Sequence, residues 1–208
     1  MGVGFTTIDC CFIYQGLMQV LRKFDDPLIF EFAGGFGVST QVILRAMANT
    51  GKGKLITAEL EPTRISGLTG LCAGKDAEVW GGDLTQRIDL PEKIDFLLHD
   101  TAHDEKTIIW SLENLWPRVS WGGAVYVHDV NPNHSPHQME RNLVLNYLKN
   151  RSKEWVMIDI GQLKDSFLPA SGGMNFGGFG WGFLCRHLPS SWLYLESLGE
   201  DPAEFERL

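Results

Sequence analysis

The chain has 208 residues, of which 44% are hydrophobic and 21% are charged, and this composition suits one folded domain with a sizeable core. Its formal charge of −8 at pH 7 argues against a broad surface for binding nucleic acid, and no apolar run is long enough to span a bilayer. The four cysteines form neither a C-x-x-C pair nor a disulfide framework. From these features together we expect one cytoplasmic domain over residues 1–208 that binds neither nucleic acid nor membrane.

The first part of the chain predicts a helix, then a strand, a glycine turn and a second helix. Thr6 or Thr7 can cap a helix that runs to about Lys23, and the apolar run from Leu28 to Phe32 predicts the first strand. A glycine-rich turn, Ala33-Gly34-Gly35-Phe36-Gly37, and a helix from about Val38 to Asn49 follow. Glycines let the backbone approach a ligand closely, and the helix after them offers unpaired N–H groups, so this turn is a candidate nucleotide site.

The charge beside this turn indicates which nucleotide would bind. Glu31 lies two residues before the turn, where a carboxylate would repel a phosphate but would suit the ammonium and sulfonium of S-adenosylmethionine. The dinucleotide fingerprint G-x-G-x-x-G fits poorly, because Thr40 occupies the position of its third glycine. The alternative is an ordinary connection between a strand and a helix.

The second predicted strand, Lys54 to Ala58, ends in an acid. Glu59 lies 22 positions past Gly37 (59 minus 37), where a carboxylate is placed to accept both ribose hydroxyls of an adenosine ligand. Alternatively, Glu59 caps the helix that begins at Pro62, although Glu61 could do that instead.

The third predicted strand, Ala77 to Trp80, follows a helix from Thr63 to about Cys72 and is itself followed by Gly81-Gly82-Asp83. An acidic side chain at this point can accept a hydrogen bond from an adenine amino group. Asp83 could equally be an ordinary turn aspartate.

Two further strands end in aspartates. The fourth, Ile94 to His99, leads into Asp100, and the fifth, Ala124 to Val127, leads into His128 and Asp129 after a helix from Asp104 to Trp116. Ligands of open parallel sheets bind at the carboxyl ends of the strands. We therefore expect one site there, formed by Glu31, Glu59, Asp100 and Asp129.

The rest of the chain continues the alternation of helices and strands. A helix from Ser135 to Asn150 and a strand from Glu154 to Ile160 are followed by a glycine-rich link, a last strand from Gly180 to Arg186 and a short amphipathic helix from Ser190. The link is too short for a full crossover, so the last strand should be antiparallel. The predicted fold is α/β and Rossmann-like: a seven-stranded, mostly parallel sheet with its last strand antiparallel, helices on both faces and one extra N-terminal helix.

The motifs resemble those of class I S-adenosylmethionine-dependent methyltransferases. The residues from Glu31 to Gly37 are similar to the first motif of that superfamily, E-x-G-x-G-x-G, with Ala33 in place of the first glycine. The segments Ile94 to His103 and Gly122 to Asp129 resemble those of small-molecule O-methyltransferases related to catechol O-methyltransferase, and of the macrocin and cephalosporin-hydroxylase-like groups. The resemblance covers nearly the whole chain.

This resemblance implies S-adenosylmethionine as cofactor and a small hydroxylated molecule, such as a sugar or a phenol, as acceptor. The implied cofactor-binding residues are Glu31, Ala33, Gly34, Gly35, Gly37, Ser39, Thr40, Glu59, Leu60, Asp83, Leu84 and Asp100. The oligomeric state stays open, with a homo-oligomer as one option.

Methyl transfer to a hydroxyl needs a deprotonated oxygen, and a divalent cation such as Mg²⁺ held by carboxylates lowers the pKa of the acceptor. The resemblance implies Asp100 and Asp129 as metal ligands, with Asn131 or His128 completing the shell. In the catechol family an amide ligand directly follows the second aspartate, whereas this chain has Val130 there. Metal dependence is therefore an open expectation.

His103 is the expected general base, with Asp100 as a second catalytic residue. It lies three positions beyond Asp100, where the catechol enzymes carry a lysine that takes the hydroxyl proton, and histidine has the better ordinary pKa near neutrality. The structural alternative is a histidine at the helix N-terminus, bonded to Asp104 or Glu105.

Two other features could contribute to an acceptor site. His134 and His137 could ligate a transition metal, but a proline lies between them and a substrate loop is the preferred interpretation. Phe179 and Trp181 could wall an acceptor pocket, although core packing is the commoner role of such aromatics.

Two other classes of function share these features. A nicotinamide-dependent oxidoreductase would have the same sheet, although Glu31 and Thr40 argue against NAD. A non-catalytic protein that binds S-adenosylmethionine, or a scaffold, would explain Ala33 and Val130 as losses from an active motif.

Overall fold

The computed structural model describes residues 7–128, 135–151, 155–158 and 182–186. The helices and strands in chain order are α1 (Thr7–Lys23), β1 (Leu28–Phe32), α2 (Val38–Thr50), β2 (Lys54–Glu59), α3 (Pro62–Cys72), β3 (Ala77–Gly81), β4 (Ile94–His99), α4 (Glu105–Asn114), β5 (Val119–Val127), α5 (Ser135–Lys149), β6 (Trp155–Ile158) and β7 (Gly182–Arg186).

The strands form one sheet in the order β3-β2-β1-β4-β5-β7-β6. Strands β1 to β5 are all parallel to their neighbours, whereas β7 runs antiparallel to both β5 and β6. Strands β2 and β3 lie on one side of β1, and β4 and β5 lie on its other side. The connection that leaves β1 and the connection that leaves β4 therefore run in opposite directions along the sheet. Such a switch point opens a crevice at the carboxyl ends of the strands. The predicted α/β, Rossmann-like class with a parallel sheet is confirmed.

Two apolar clusters cover the two faces of the sheet. On one face α1 and α2 pack over β1, β2 and β4, with Ile13, Leu17, Ile29, Ile43, Leu55 and Phe96 fully buried. On the other face α4 and α5 pack over the alternate residues of the same strands, with Phe30, Leu97, Ile108, Trp116 and Val125 fully buried. Alternation of the strand residues between the two faces explains why β4 reads as a continuous apolar run.

The fifth strand is longer than its sequence predicts. It begins at Val119 rather than Ala124, because Gly122 and Gly123 lie within the strand instead of forming a turn before it. Gly122 has a φ of 81°, and the pairing with β4 shifts register between Ile94 and Phe96, as in a β-bulge. A side chain at position 123 would lie 2.7 Å from the Asp95 carbonyl oxygen, so the close approach needs glycine.

The fourth helix is shorter than predicted. It ends at Asn114, and residues Trp116–Arg118 form a separate 3-10 turn. The reason is Pro117, because it has no backbone N–H to donate to the Glu113 carbonyl and its ring would clash with that carbonyl in a continued α-helix.

Several predictions concern residues outside the described part of the chain. They are the glycine-rich link at 172–178, the beginning of the last strand at Gly180, the ends of the sixth strand at Glu154 and Ile160, and the helix from Ser190. Among the described helices, none has the length and apolar character that crossing a membrane requires.

Candidate active site

The turn after β1 has the tight backbone that its glycines suggest. Gly35 and Gly37 have φ values of 55° and 81°, and Ala33 is the only described residue other than glycine with a positive φ, at 72°. The N–H groups of Ala33 and Gly34 both donate to the Ala58 carbonyl, at 2.9 and 3.0 Å. An L-residue in this conformation costs about 1–2 kcal/mol, so these bonds hold Ala33 where a glycine would be unstrained.

Glu31 is a buried link between β1 and α2. Its two carboxylate oxygens accept hydrogen bonds from the Ser39 and Thr40 hydroxyls, both at 2.6 Å, and the side chain is fully buried. Burial raises the pKa of Glu31, and the hydroxyl donors partly offset that rise. In this structure the carboxylate does not face the cavity described below, because it is directed at the first turn of α2. Glu31, Ser39 and Thr40 do not line that cavity, and their contact with a ligand stays a prediction.

Gly34 and Gly37 allow helix α3 to approach the turn. A Cβ at position 34 would lie 2.9 Å from Leu68, and one at position 37 would overlap Leu71. Both residues were expected to contact a cofactor, but neither lines the cavity. Their physical role is close packing between the turn and α3.

One cavity of about 710 Å³ lies at the carboxyl edge of the sheet, within the usual size range of small-molecule sites. It brings together residues from the ends of β1, β2, β3 and β4. Among the predicted cofactor-binding residues, those that line it are Ala33, Gly35, Glu59, Leu60, Asp83, Leu84 and Asp100. Residues that the sequence reading did not propose also line it, including Arg64, Thr101 and Lys106.

Glu59 is held in place by the backbone. Its Oε2 accepts the Gly35 N–H at 2.8 Å and its Oε1 accepts the Glu61 N–H at 2.9 Å, while Arg64 Nη1 lies 3.9 Å from Oε1. The helix cap is Glu61, which accepts from the backbone N–H of Thr63. Glu59 is therefore not the cap of α3. A carboxylate can accept about four hydrogen bonds, so Glu59 keeps acceptor capacity toward the cavity.

Asp83 begins a 3-10 turn at the end of β3. It accepts hydrogen bonds from the Thr85 N–H at 2.9 Å and the Thr85 hydroxyl at 2.7 Å, and these donors lower its pKa. This is the turn role that the sequence left open. Across the cavity Leu60 is 65% exposed, which places an apolar surface beside the polar groups.

Asp100 is the cavity end of a chain of buried polar groups. His128 Nδ1 lies 3.3 Å from Asp100 Oδ1, and His128 Nε2 lies 4.0 Å from Asp9 Oδ2 on α1. Tyr126 donates to Asp9 at 3.4 Å, and burial, followed by the Asp9 charge, raises the pKa of Tyr126. Asp9 was not among the predicted site residues. Its spacing in the sequence does indicate burial, because Asp9 precedes the buried Ile13 by four residues and so lies on the same face of α1.

His103 lies next to a carboxylate that the sequence reading also missed. Its Nδ1 is 2.7 Å from Glu140 Oε2, on helix α5, and its side chain is 26% exposed. Asp104, the predicted alternative partner, instead caps α4 by accepting the Thr107 N–H at 2.9 Å. His103 does not line the cavity of Asp100, so its role as a base toward an acceptor there stays a prediction.

The predicted metal site falls mostly outside the described residues. Asp129, Asn131 and His134 lie there, as do the side chain of His137 and the aromatic residues Phe179 and Trp181. Within the part of the chain that the structure describes, no three His, Cys, Asp or Glu side chains are grouped to hold a metal ion. Metal binding by Asp100 and Asp129 stays a prediction.

The chain matches one family model, described as "Methyltransferase domain", over residues 33–130. No curated protein matches its sequence. The matched segment includes the turn, Glu59, Asp83 and Asp100.

Similar solved structures show the same fold. An rRNA methylase from Streptococcus thermophilus is 14% identical with a TM-score of 0.63, over 90% of this chain and all of that chain. The O-methyltransferase TomG from Streptomyces achromogenes, solved with S-adenosylmethionine, is 17% identical with a TM-score of 0.62, over 89% of this chain and 82% of that chain. The plantazolicin methyltransferase BpumL, solved with S-adenosylhomocysteine, is 14% identical with a TM-score of 0.59, over 86% of this chain and 83% of that chain. The fold is therefore that of class I methyltransferases.

Proposed function

Because residues 33–130 match a methyltransferase-domain model on a class I methyltransferase fold, we propose that this protein is an S-adenosylmethionine-dependent O-methyltransferase acting on a small hydroxylated molecule. The observation that carries the proposal is the cavity at the carboxyl edge of the sheet. It is lined by Ala33 and Gly35 of the glycine turn and by Glu59, Asp83 and Asp100, which motif and spacing assign to this cofactor.

The charges around the cavity favour this cofactor over a dinucleotide. The lining contains five acids, Glu59, Glu61, Asp83, Asp100 and Asp104, but only two basic residues, Arg64 and Lys106, among the described residues. Such a surface suits a ligand with an ammonium and a sulfonium, whereas the pyrophosphate of NAD would meet carboxylates. The same argument supports the preference for S-adenosylmethionine that Glu31 first suggested.

Each part of the cofactor has a counterpart in the lining. The Gly35 backbone would lie beside the methionine end, Glu59 would accept hydrogen bonds from the ribose hydroxyls, and Asp83 would accept one from the adenine amino group. Leu60 offers an exposed apolar side chain against which an adenine ring can pack.

The bound cofactor supplies an electrophilic methyl group on a sulfonium. Asp100, at the end of β4, would orient the acceptor hydroxyl, and His103 would take its proton on Nε2 as the oxygen attacks. The cofactor would supply the methyl group to the acceptor oxygen and keep the sulfur as its leaving group, while His103 would hold the proton lost by the hydroxyl. Asp100 and Asp129 could additionally hold Mg²⁺, which would lower the acceptor pKa.

A small acceptor is favoured over nucleic acid by charge. An rRNA methylase shares the fold, but the present chain carries a net charge of −8, which opposes approach of a polyanion. Structured RNA therefore serves as a negative acceptor in the test.

The test is transfer of a labelled methyl group from S-adenosylmethionine to a panel of sugars, phenols and catechols, with RNA as the negative acceptor and with or without magnesium. The proposal predicts transfer to a hydroxylated small molecule. His103→Gln keeps a donor for Glu140 but cannot take a proton, so turnover should fall about 100-fold or more while S-adenosylhomocysteine affinity stays within about twofold. Equal loss of turnover and affinity would remove His103 from the role of base, and transfer to RNA alone would overturn the choice of acceptor.

A further inference from the structure

Helix α5 buries an acid on its apolar face. Glu140 shares a buried stripe with Val144 and Leu148, which follow it at intervals of four residues, and its side chain is fully buried. A buried carboxylate is costly unless it is hydrogen-bonded or paired with a cation. A leucine at this position would avoid that cost. The buried carboxylate of Glu140 therefore needs neighbouring groups that stabilise it.

Two histidines from the β4 end of the sheet surround this carboxylate. His103 Nδ1 lies 2.7 Å from Oε2, a hydrogen-bond distance, whereas His99 Nδ1 lies 3.8 Å from Oε1. Burial lowers the pKa of His99 to about 3, with a further contribution from His103, so His99 is neutral at physiological pH. Of these two histidines, His103 is therefore the one that can carry a proton beside Glu140.

This contact favours one tautomer of His103 when Glu140 is ionised. An ionised carboxylate only accepts, so the neutral imidazole would carry its proton on Nδ1 and its lone pair on Nε2. The partial exposure of His103 leaves a route from outside to this ring. In carboxylate–histidine pairs of this kind, the acid orients the base and stabilises the imidazolium that forms.

We propose that Glu140 is the positioning residue of His103: it holds the ring in the Nδ1–H tautomer, presents Nε2 as the base and stabilises the protonated ring. This inference rests on the proposed function, in which His103 takes the acceptor proton. The proton moves from the hydroxyl to Nε2, while Glu140 stays ionised and does not receive it.

The titratable groups near His103 in the described part of the chain define the controls. His99 ends β4, Glu140 belongs to α5, and Asp100, Asp104 and Glu105 are neighbours along the chain. Glu105 is exposed at the first turn of α4 and lies two residues from His103. Glu105→Gln therefore removes the same charge as Glu140→Gln, but without a buried hydrogen bond.

The test is NMR of the full chain with ¹⁵N-labelled histidine, using His103→Gln to assign the His103 signals. We expect the Nδ1–H tautomer in the wild type. In Glu140→Gln the pH at which His103 is half protonated should fall by about one unit or more, and in Glu105→Gln by less than about a third of that. An Nε2–H tautomer in the wild type, or equal shifts in the two variants, would overturn the proposal. A thermal melt of each variant verifies that it is folded.

Two further measurements separate this inference from the proposed function. In Glu140→Gln the acid limb of the turnover profile should move with the NMR midpoint, with kcat lowered and KM little changed. An acid limb that stays in place while the NMR midpoint moves would refute the positioning role. Failure of the wild type to bind S-adenosylhomocysteine would refute the proposed function, and with it the part of the inference that concerns catalysis.

Discussion

Replacing His99 with phenylalanine should make the protein less sensitive to mild acid. His99 is fully buried at the end of β4, with its ring stacked on Phe32 at 6.0 Å between centroids and edge-on to Trp116 at 6.2 Å. Among the described residues neither ring nitrogen has a hydrogen-bond partner, and Glu140 Oε1 is 3.8 Å from Nδ1. A phenyl ring keeps the contacts with Phe32 and Trp116 and removes the titratable group.

The size of the effect follows from the pKa of His99. Burial, and next the charge of His103, lower this pKa to about 3 in the folded protein, against about 6.5 in an unfolded chain. Below pH 6.5 the unfolded chain binds a proton that folded His99 does not bind. The contribution of neutral His99 is thus fully present above pH 6.5 and is lost progressively as the pH falls toward 3. At about 1.36 kcal/mol per pH unit, the loss between pH 6.5 and 5 is about 2 kcal/mol.

Urea denaturation at pH 7.5, 6.5, 5.5 and 5.0 measures this loss. Between pH 7.5 and 5.0, the free energy of unfolding of His99→Phe should gain about 2 kcal/mol relative to that of the wild type. Any cost of the larger ring is independent of pH and cancels in this comparison. Phe32→Leu changes the same aromatic stack without removing a titratable group, so its difference from the wild type should stay constant.

Parallel pH dependences of wild type and His99→Phe would refute the reasoning. So would a wild type that gains stability relative to the variant in acid, because that result would mean that Glu140 makes His99 bind a proton when folded.

Two further predictions concern the turn after β1. Burial raises the pKa of Glu31, so the contribution of this residue to stability is fully present below its ordinary pKa of about 4.5 and is lost as the pH rises through the raised pKa. Between pH 5 and 8, the free energy of unfolding of Glu31→Gln, measured by urea denaturation, should therefore increase relative to that of the wild type. A constant difference between the two proteins would contradict this prediction. Gly34→Ala should lower the free energy of unfolding by about 1–3 kcal/mol, because the new Cβ would crowd Leu68 and Thr57. The control is Gly67→Ala in α3, where the space around the glycine is open, and this variant should raise the free energy of unfolding by about 0.5–1 kcal/mol. Equal melting temperatures for the two variants would refute the packing argument.

The elements that position the site were predictable because their signals are local. Strands β1 and β4 are short apolar runs bounded by turn residues, and both begin and end where the sequence predicts. Parallel strands bring their carboxyl ends to one edge, so the sequence predicts that Glu31, Glu59, Asp100 and Asp129 lie together. Of these, Glu59 and Asp100 line the cavity, as does Asp83, whereas Glu31 does not line it and Asp129 lies outside the described residues.

Other parts of the site depend on tertiary contacts that spacing does not encode. The sequence puts Glu31 beside the turn but does not show that Ser39 and Thr40 turn its carboxylate inward. Asp9 and Glu140 reach the site from distant helices. The pattern does contain a clue, since each acid begins a buried stripe with four-residue spacing, but it does not identify the histidine that each acid approaches.

The identity of the cofactor is the central claim, and calorimetric titration of the purified protein tests it most directly. S-adenosylhomocysteine and NAD would be titrated in parallel, each with and without magnesium, against wild type and Glu59→Gln. We predict binding of S-adenosylhomocysteine alone, at one site per chain, and weaker binding by about tenfold in Glu59→Gln, because a buried acceptor for the ribose hydroxyls is lost. Binding of NAD in its place would indicate a dinucleotide enzyme, and binding of neither ligand would indicate a scaffold; either result would contradict the account.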